Sequence, residues 1–180
     1  MDVASISRCC FAGPTYDKTK VSEKAMKDTV KNSIEAAIAD GTTTFIIGMN
    51  KGVDLIAGDL LVDMRERDKS IKIICVEPYK HSNYSWQEAW KQTYNYVLAM
   101  ADFRKSLSVN WEAGIYDKKL DYIIEHCDKA IILYDGDDNS DARYMLDKSI
   151  KFKKTWLSTT IEQWEKLEDE LGKRIIEKTR

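Results

Sequence analysis

Residues 44–54 read Thr44-Phe45-Ile46-Ile47-Gly48-Met49-Asn50-Lys51-Gly52-Val53-Asp54. The β-branched run from Thr43 to Ile47 predicts a strand that Gly48 stops. From Val53 to Arg67 the apolar residues Leu55, Ile56, Leu60, Leu61 and Met64 recur at helical spacing. A strand, a glycine-bounded loop and a helix within 25 residues are the repeating unit of an α/β fold.

The same unit recurs on both sides. Upstream, Ala4 to Ala12 predicts a strand ending at Gly13-Pro14. A helix follows from about Val21 to Ala39, with Gly41 as its C-cap. Downstream, Ile71 to Val76 is almost uniformly apolar, as a strand buried on both faces of a parallel sheet should be, and Pro78 is expected to end it. Lys80 to Tyr84 is a polar loop. Ser85 to Met100 predicts a helix, Asp102 to Val109 a weaker strand, and Ile115 to His126 a further helix. Lys129 to Tyr134 predicts another strand, closed by Asp135-Gly136. Asp141 to Phe152 is helical, Thr155 to Leu157 is a short strand candidate, and Ile161 to Lys178 is a charged helix. Strands alternating with helices imply a mainly parallel sheet flanked by helices, a single doubly wound Rossmann-like domain over residues 1–180, with 160–180 a C-terminal covering helix.

Length and composition agree with one globular domain. The chain has 180 residues, 43% hydrophobic and 32% charged. A formal charge of −2 argues against direct nucleic-acid binding, which draws on a basic excess. There is no apolar run long enough to span a bilayer. Residues 1–4, Met-Asp-Val-Ala, do not begin a signal peptide, so a cytoplasmic protein is expected. Cys9, Cys10, Cys75 and Cys127 form no CxxC pair and read as reduced, buried thiols. With only His81 and His126 to assist, they do not make a zinc site.

In doubly wound sheets ligands bind beyond the carboxyl ends of the strands, so the strand-exit loops are the places to search. Gly13, Pro14 and Thr15 form the first, offering a tight turn and a hydroxyl. Gly48, Met49, Asn50 and Gly52 form the second. Here a helix N-terminus favours an anion, and Asp54 can cap the helix or accept from a ribose hydroxyl. Pro78 and Tyr79 lie in the third. Tyr79 and Trp86 can stack on a base, although Trp86 and Trp90 are also spaced for a core helix face. Asp135, Gly136, Asn139 and Ser140 lie in the fourth. Its aspartates invite a metal reading, but a turn with an Asn or Ser N-cap is favoured over it, and no metal is expected.

Several of these segments together resemble YpsA-like proteins of the SLOG superfamily. They are Thr44 to Asp54, Ile73-Ile74-Cys75-Val76-Glu77-Pro78-Tyr79 followed by Trp86, and Tyr122 to Asp128 leading into Tyr134-Asp135-Gly136, with Gly13-Pro14 at the first loop. That superfamily of Rossmann-like folds includes DprA DNA-processing proteins and LOG phosphoribohydrolases. The resemblance covers roughly residues 5 to 150. It implies a nucleotide or nucleotide derivative as ligand, an ADP-ribose-like molecule included, and self-association, most simply a dimer. The chain departs from the pattern in two places. Lys119-Leu120 stands where the family usually has Arg-Asn, and Asp137-Asp138-Asn139-Ser140-Asp141 replaces a Gly-Gly-Thr phosphate loop. The PGGxGTxxE signature of the phosphoribohydrolases is absent as well.

The expected function is therefore non-catalytic binding of a nucleotide-derived small molecule by a sensor, regulator or sequestering protein, with no assigned catalytic residue and no cofactor beyond that ligand. The alternative is an enzyme acting on an N-glycosidic bond of a nucleotide, for which Asp54 and Asp135 are the carboxylate candidates. A DprA-like role in DNA processing is a third reading, which the acidic balance disfavours.

Overall fold

A computed structural model describes residues 7–160 except 16–18 and 20, with the backbone alone over 156–160. The elements follow the order β1 (Arg8–Ala12), α1 (Glu23–Ala39), β2 (Thr44–Ile47), α2 (Val53–Arg67), β3 (Lys72–Tyr79), α3 (Glu88–Met100), β4 (Phe103–Ser108), α4 (Ile115–His126), β5 (Lys129–Tyr134), α5 (Asp141–Lys151) and β6 (Thr155–Thr160). The strands form one six-stranded sheet in the order β4-β3-β2-β1-β5-β6, with parallel pairing throughout. The expected α/β class and Rossmann-like architecture are what the chain adopts, and the mainly parallel sheet is entirely so.

Side-chain alternation along the strands sorts the core into two layers. Cys9, Phe11, Phe45, Ile47, Ile131 and Leu133 point to one face, where α1, α2 and α3 cover them with Met26, Val30, Ile34, Leu55, Leu61, Tyr94 and Val97. Cys10, Ala12, Ile46, Ala130 and Ile132 point to the other, beneath Leu120, Ile123 and Ile124 of α4 and Ala142 and Met145 of α5. Burying apolar strands on both faces is what makes them read as continuous apolar runs. All four cysteines are buried free thiols, and Cys10 Sγ lies 3.1 Å from Cys127 Sγ.

Chain order creates one special place. From β1 the chain winds outward through β2, β3 and β4. It then returns to β5 on the other side of β1. The connections leaving β1 and β5 therefore run to opposite faces, and a crevice opens between their carboxyl ends. Gly13 lets α2 dock close to this point. A Cβ there would lie 2.3 Å from Val53 Cγ2, so β1 exits directly against the first residue of α2.

Several boundaries differ from expectation. β3 runs through Pro78 to Tyr79. β2 ends opposite Cys75, so the last part of β3 pairs with β4 alone, and a one-sided ladder tolerates a proline. α3 begins at Glu88 rather than Ser85, because residues 80–86 form turns closed by Tyr84 N–H to His81 O and Trp86 N–H to Asn83 O. β6 continues to Thr160, three residues beyond the expected end and into the segment assigned to a covering helix. Residues 4–6 of the first expected strand, and the charged helix over residues 161–178, lie outside the described residues.

Candidate functional site

The crevice between β1 and β5 holds a cavity of about 230 Å³. Gly13, Pro14 and Thr15 from the exit of β1 form one wall. Asp135, Asp137, Asn139, Ser140 and Asp141, between β5 and α5, form the opposite wall. Asn50 from the β2–α2 loop and Tyr116 from the start of α4 complete it. A larger hollow of about 300 Å³ lies between α1, α2 and α3 beside Leu55, Ile56 and Trp90. It is not at a strand end, and its charged groups Glu23, Lys27 and Asp59 sit on outward helix positions. The smaller cavity is the better candidate because buried polar groups converge on it.

Asn50 is the centre of that convergence. Its side-chain Nδ2 donates to Asp141 Oδ2 at 2.9 Å, and its Oδ1 accepts from Lys119 Nζ at 2.6 Å. Its backbone N–H donates to Asp54 Oδ2 at 3.1 Å. Lys119 Nζ also donates to the Gly48 carbonyl at 2.9 Å. One residue thus ties the β2 exit to the first turns of α2 and α5 and to the middle of α4. Lys119 is fully buried and Asp54 is 5% exposed.

Burial governs the electrostatics here. Loss of water raises the Asp54 carboxyl to about 6, against the opposing pull of the Lys119 ammonium and the Asn50 N–H. Burial likewise lowers Lys119, while Asp54 and Asp141 pull it back. Among the described residues two buried side-chain oxygens have no partner: Asp54 Oδ1, and Thr15 Oγ1 in the cavity wall. Buried polar atoms are rarely left so.

The expected site residues are distributed unevenly around this cavity. Gly13, Pro14, Thr15, Asn50, Asp135, Asn139 and Ser140 line it. Gly136 is an exposed turn residue with φ 86° between two of them. Gly48, Met49, Gly52 and Asp54 lie in the interior instead. Met49 is 1% exposed and packs in the core, and a Cβ on Gly48 would meet Asp54 Oδ2 at 2.8 Å. Gly48 therefore makes room for one of the protein's own side chains. Pro78 is buried. Tyr79 reaches the cavity only through Tyr116, meeting its ring edge-on at 6.4 Å. Trp86 stacks edge-on with Tyr94 at 5.4 Å and carries Lys51 Nζ over its ring, away from the lining residues.

The acidic loop folds as turn and cap. Asp137 N–H donates to Asp135 Oδ1 at 3.2 Å and Asn139 N–H to Asp137 Oδ1 at 2.9 Å, while Ser140 Oγ accepts from Arg143 N–H. Among the described residues no three His, Cys, Asp or Glu side chains are placed to hold a metal. No described helix is long and apolar enough to cross a membrane.

Four residues of the site are not among the expected ligand-binding positions: Tyr116, and Lys119, Asp137 and Asp141, which the sequence marks only as departures from the family pattern. Lys119 has a legible signal. It falls four residues from both Ile115 and Ile123, inside the buried stripe of α4 rather than on its wet face.

With the geometry in place, comparison with known proteins adds a frame. A family model named YpsA, described as the YspA SLOG family, matches residues 14–165. The chain is similar to the UPF0398 protein YpsA of Bacillus subtilis (strain 168), 28% identical over 137 residues that cover 73% of this chain and 76% of that one. It is also similar to a UPF0398 protein of Listeria monocytogenes serotype 4a, 27% identical over 130 residues, 71% of each chain.

Proposed function

The chain belongs to the YpsA SLOG family, and from that premise we propose that it binds a nucleotide or nucleotide-derived small molecule without turning it over. The ligand lies in the cavity between β1 and β5, and the protein acts as a sensor, regulator or sequestering protein. One observation carries this reading. A cavity at the switch point of a parallel sheet is lined by Asn50, whose amide is held from both ends, and by Thr15, whose buried hydroxyl has no partner among the described residues. A small ligand with several polar groups supplies what these atoms lack.

The N-glycosidase alternative has less behind it. Its better carboxylate, Asp54, is buried, does not line the cavity, and has Oδ2 engaged by the Asn50 N–H. A general acid or base must reach the bond it serves.

Isothermal titration of the full chain against nucleotides, ADP-ribose derivatives and cyclic dinucleotides tests the proposal. At least one should bind with 1:1 stoichiometry and remain chemically intact when recovered. Asn50→Ala should weaken that binding about tenfold or more, the equivalent of one or two lost hydrogen bonds. Silence across the whole panel would sink the reading, and release of free base would favour the enzyme.

A further inference from the structure

Helix α5 begins in the crevice wall and α2 begins behind Asn50, and each has a carboxylate in its first turn. Asp54 sits in the first turn of α2, and Asp141 opens α5. Helix N-termini are where a phosphate would gain most from N–H groups and the helix dipole. At α5 that advantage is taken up internally, by Ser140 as the N-cap and Asp141 in the first turn. Asp54 Oδ2 accepts the Asn50 N–H, Asp141 Oδ2 accepts the Asn50 amide, and Ser140 caps α5. Lys119 is the ammonium buried among them, and it donates to two protein oxygens, the Gly48 carbonyl and Asn50 Oδ1.

The cavity wall continues the same sign. Asp135, Asp137 and Asp141 line it, and none of its described lining residues is basic. A phosphate entering there would meet three carboxylates and lose its water. The cavity wall also holds a buried oxygen without a partner among the described residues, Thr15 Oγ1, a hydroxyl able to accept or to donate. Carboxylates are acceptors, so the three aspartates of the wall call for donors on the ligand.

We infer that this cavity recognises the nucleoside end of its ligand, through donors such as the sugar hydroxyls or an amino group of the base, and keeps phosphate out. The inference rests on the proposed nucleotide-type ligand and fixes which end of it enters. Asp135 and Asp137 accept from the ligand, Asn50 is held rigid between Lys119 and Asp141, and any phosphate extends away from the cavity toward solvent.

The test is titration of the full chain with the four ribonucleosides and their 5′-monophosphates, in EDTA and in Mg²⁺. At least one nucleoside should bind as tightly as its monophosphate or more tightly, in both buffers. In an Asp135→Asn, Asp137→Asn variant the nucleoside should weaken about tenfold, because charge-assisted bonds become neutral ones. The monophosphate should gain relative to it. Asparagine keeps the acceptor oxygen that each turn uses, and an unchanged melting temperature would confirm the fold. A monophosphate binding tenfold tighter than its nucleoside in either buffer overturns the inference and leaves the nucleotide reading standing. Failure of every nucleoside and monophosphate to bind overturns the inference, and the wider panel above then decides the nucleotide reading.

Discussion

Two carboxylates are buried at the carboxyl edge of this sheet, and they have opposite surroundings. Glu77, near the end of β3, is fully provided for. Tyr94 OH donates to its Oε1 at 2.5 Å and Ser106 Oγ to its Oε2 at 3.0 Å. Asp54, at the start of α2, has one oxygen engaged and the other without a partner among the described residues. Glu77 is closed in by α3 and β4 and lines none of the cavities described above. Asp54 stands directly behind Asn50, which does line one. A buried carboxylate is thus no sign of a site by itself. Incomplete satisfaction beside an opening is the feature that separates the two.

Removing Lys119 should strike the Asp54 side hardest. Lys119→Met leaves Asp54 and Asp141 without their buried ammonium, and breaking such a group costs about 3–5 kcal/mol. The loss should also depend on pH. Asp54 holds its proton more tightly folded than unfolded, since burial raises it from 3.8 to about 6. Stability from this group therefore declines as pH climbs through that window and is level above it. Without Lys119 the window stretches upward, so urea unfolding should show a smaller deficit at pH 5 than at pH 8. An equal deficit at both would mean that Lys119 acts by packing rather than by charge.

The Glu77 side should respond more mildly and without functional consequence. Tyr94→Phe deletes one hydrogen bond to a buried carboxylate, a cost of about 1–3 kcal/mol. Burial and Glu77 both push the Tyr94 hydroxyl up, so it stays a donor throughout the accessible pH range. Unfolding should show the loss, while the affinity of any cavity ligand stays unchanged. A tenfold change in affinity would mean that the two networks communicate, and the contrast would fail.

The smallest expected effect separates capping from binding. Ser140 and Ser22 each accept an N–H at a helix start, from Arg143 and Ala25 respectively. Ser140→Ala and Ser22→Ala should each cost about 1 kcal/mol in thermal or chemical unfolding. Only the first touches the cavity wall, so only the first should alter ligand affinity.

Much of this is legible in the sequence because the fold speaks through period and punctuation. The α2 and α4 boundaries coincide with the apolar pattern, and Gly48 and Gly136 follow the ends of their strands as read. β3 reads short because Pro78 ordinarily ends a strand, and only pairing with β4 shows that the ladder there is one-sided. The cavity's loops are found because topology places ligands at strand exits. The partition within them is not. Met49 turns into the core at φ 59°, a conformation that a non-glycine residue in the loop does not announce, while Asn50 reaches the cavity. Gly13 and Gly48 look like room for a ligand, and they make room for Val53 and Asp54. Lys119 shows in the sequence as a departure from the family's Arg-Asn pair, and its place in the apolar stripe of α4 marks it as buried.

β4 forms one rim of the sheet, with a neighbour on a single side among the described strands. Such a rim invites a strand from another molecule, the first step toward aggregation. Here Phe103, Arg104 and Lys105 are all exposed, and the two cations follow the aromatic ring directly. A second copy laid along this edge would bring like charges together and strip them of water. The same strand that completes the sheet therefore also ends it, and keeps one molecule from templating the next.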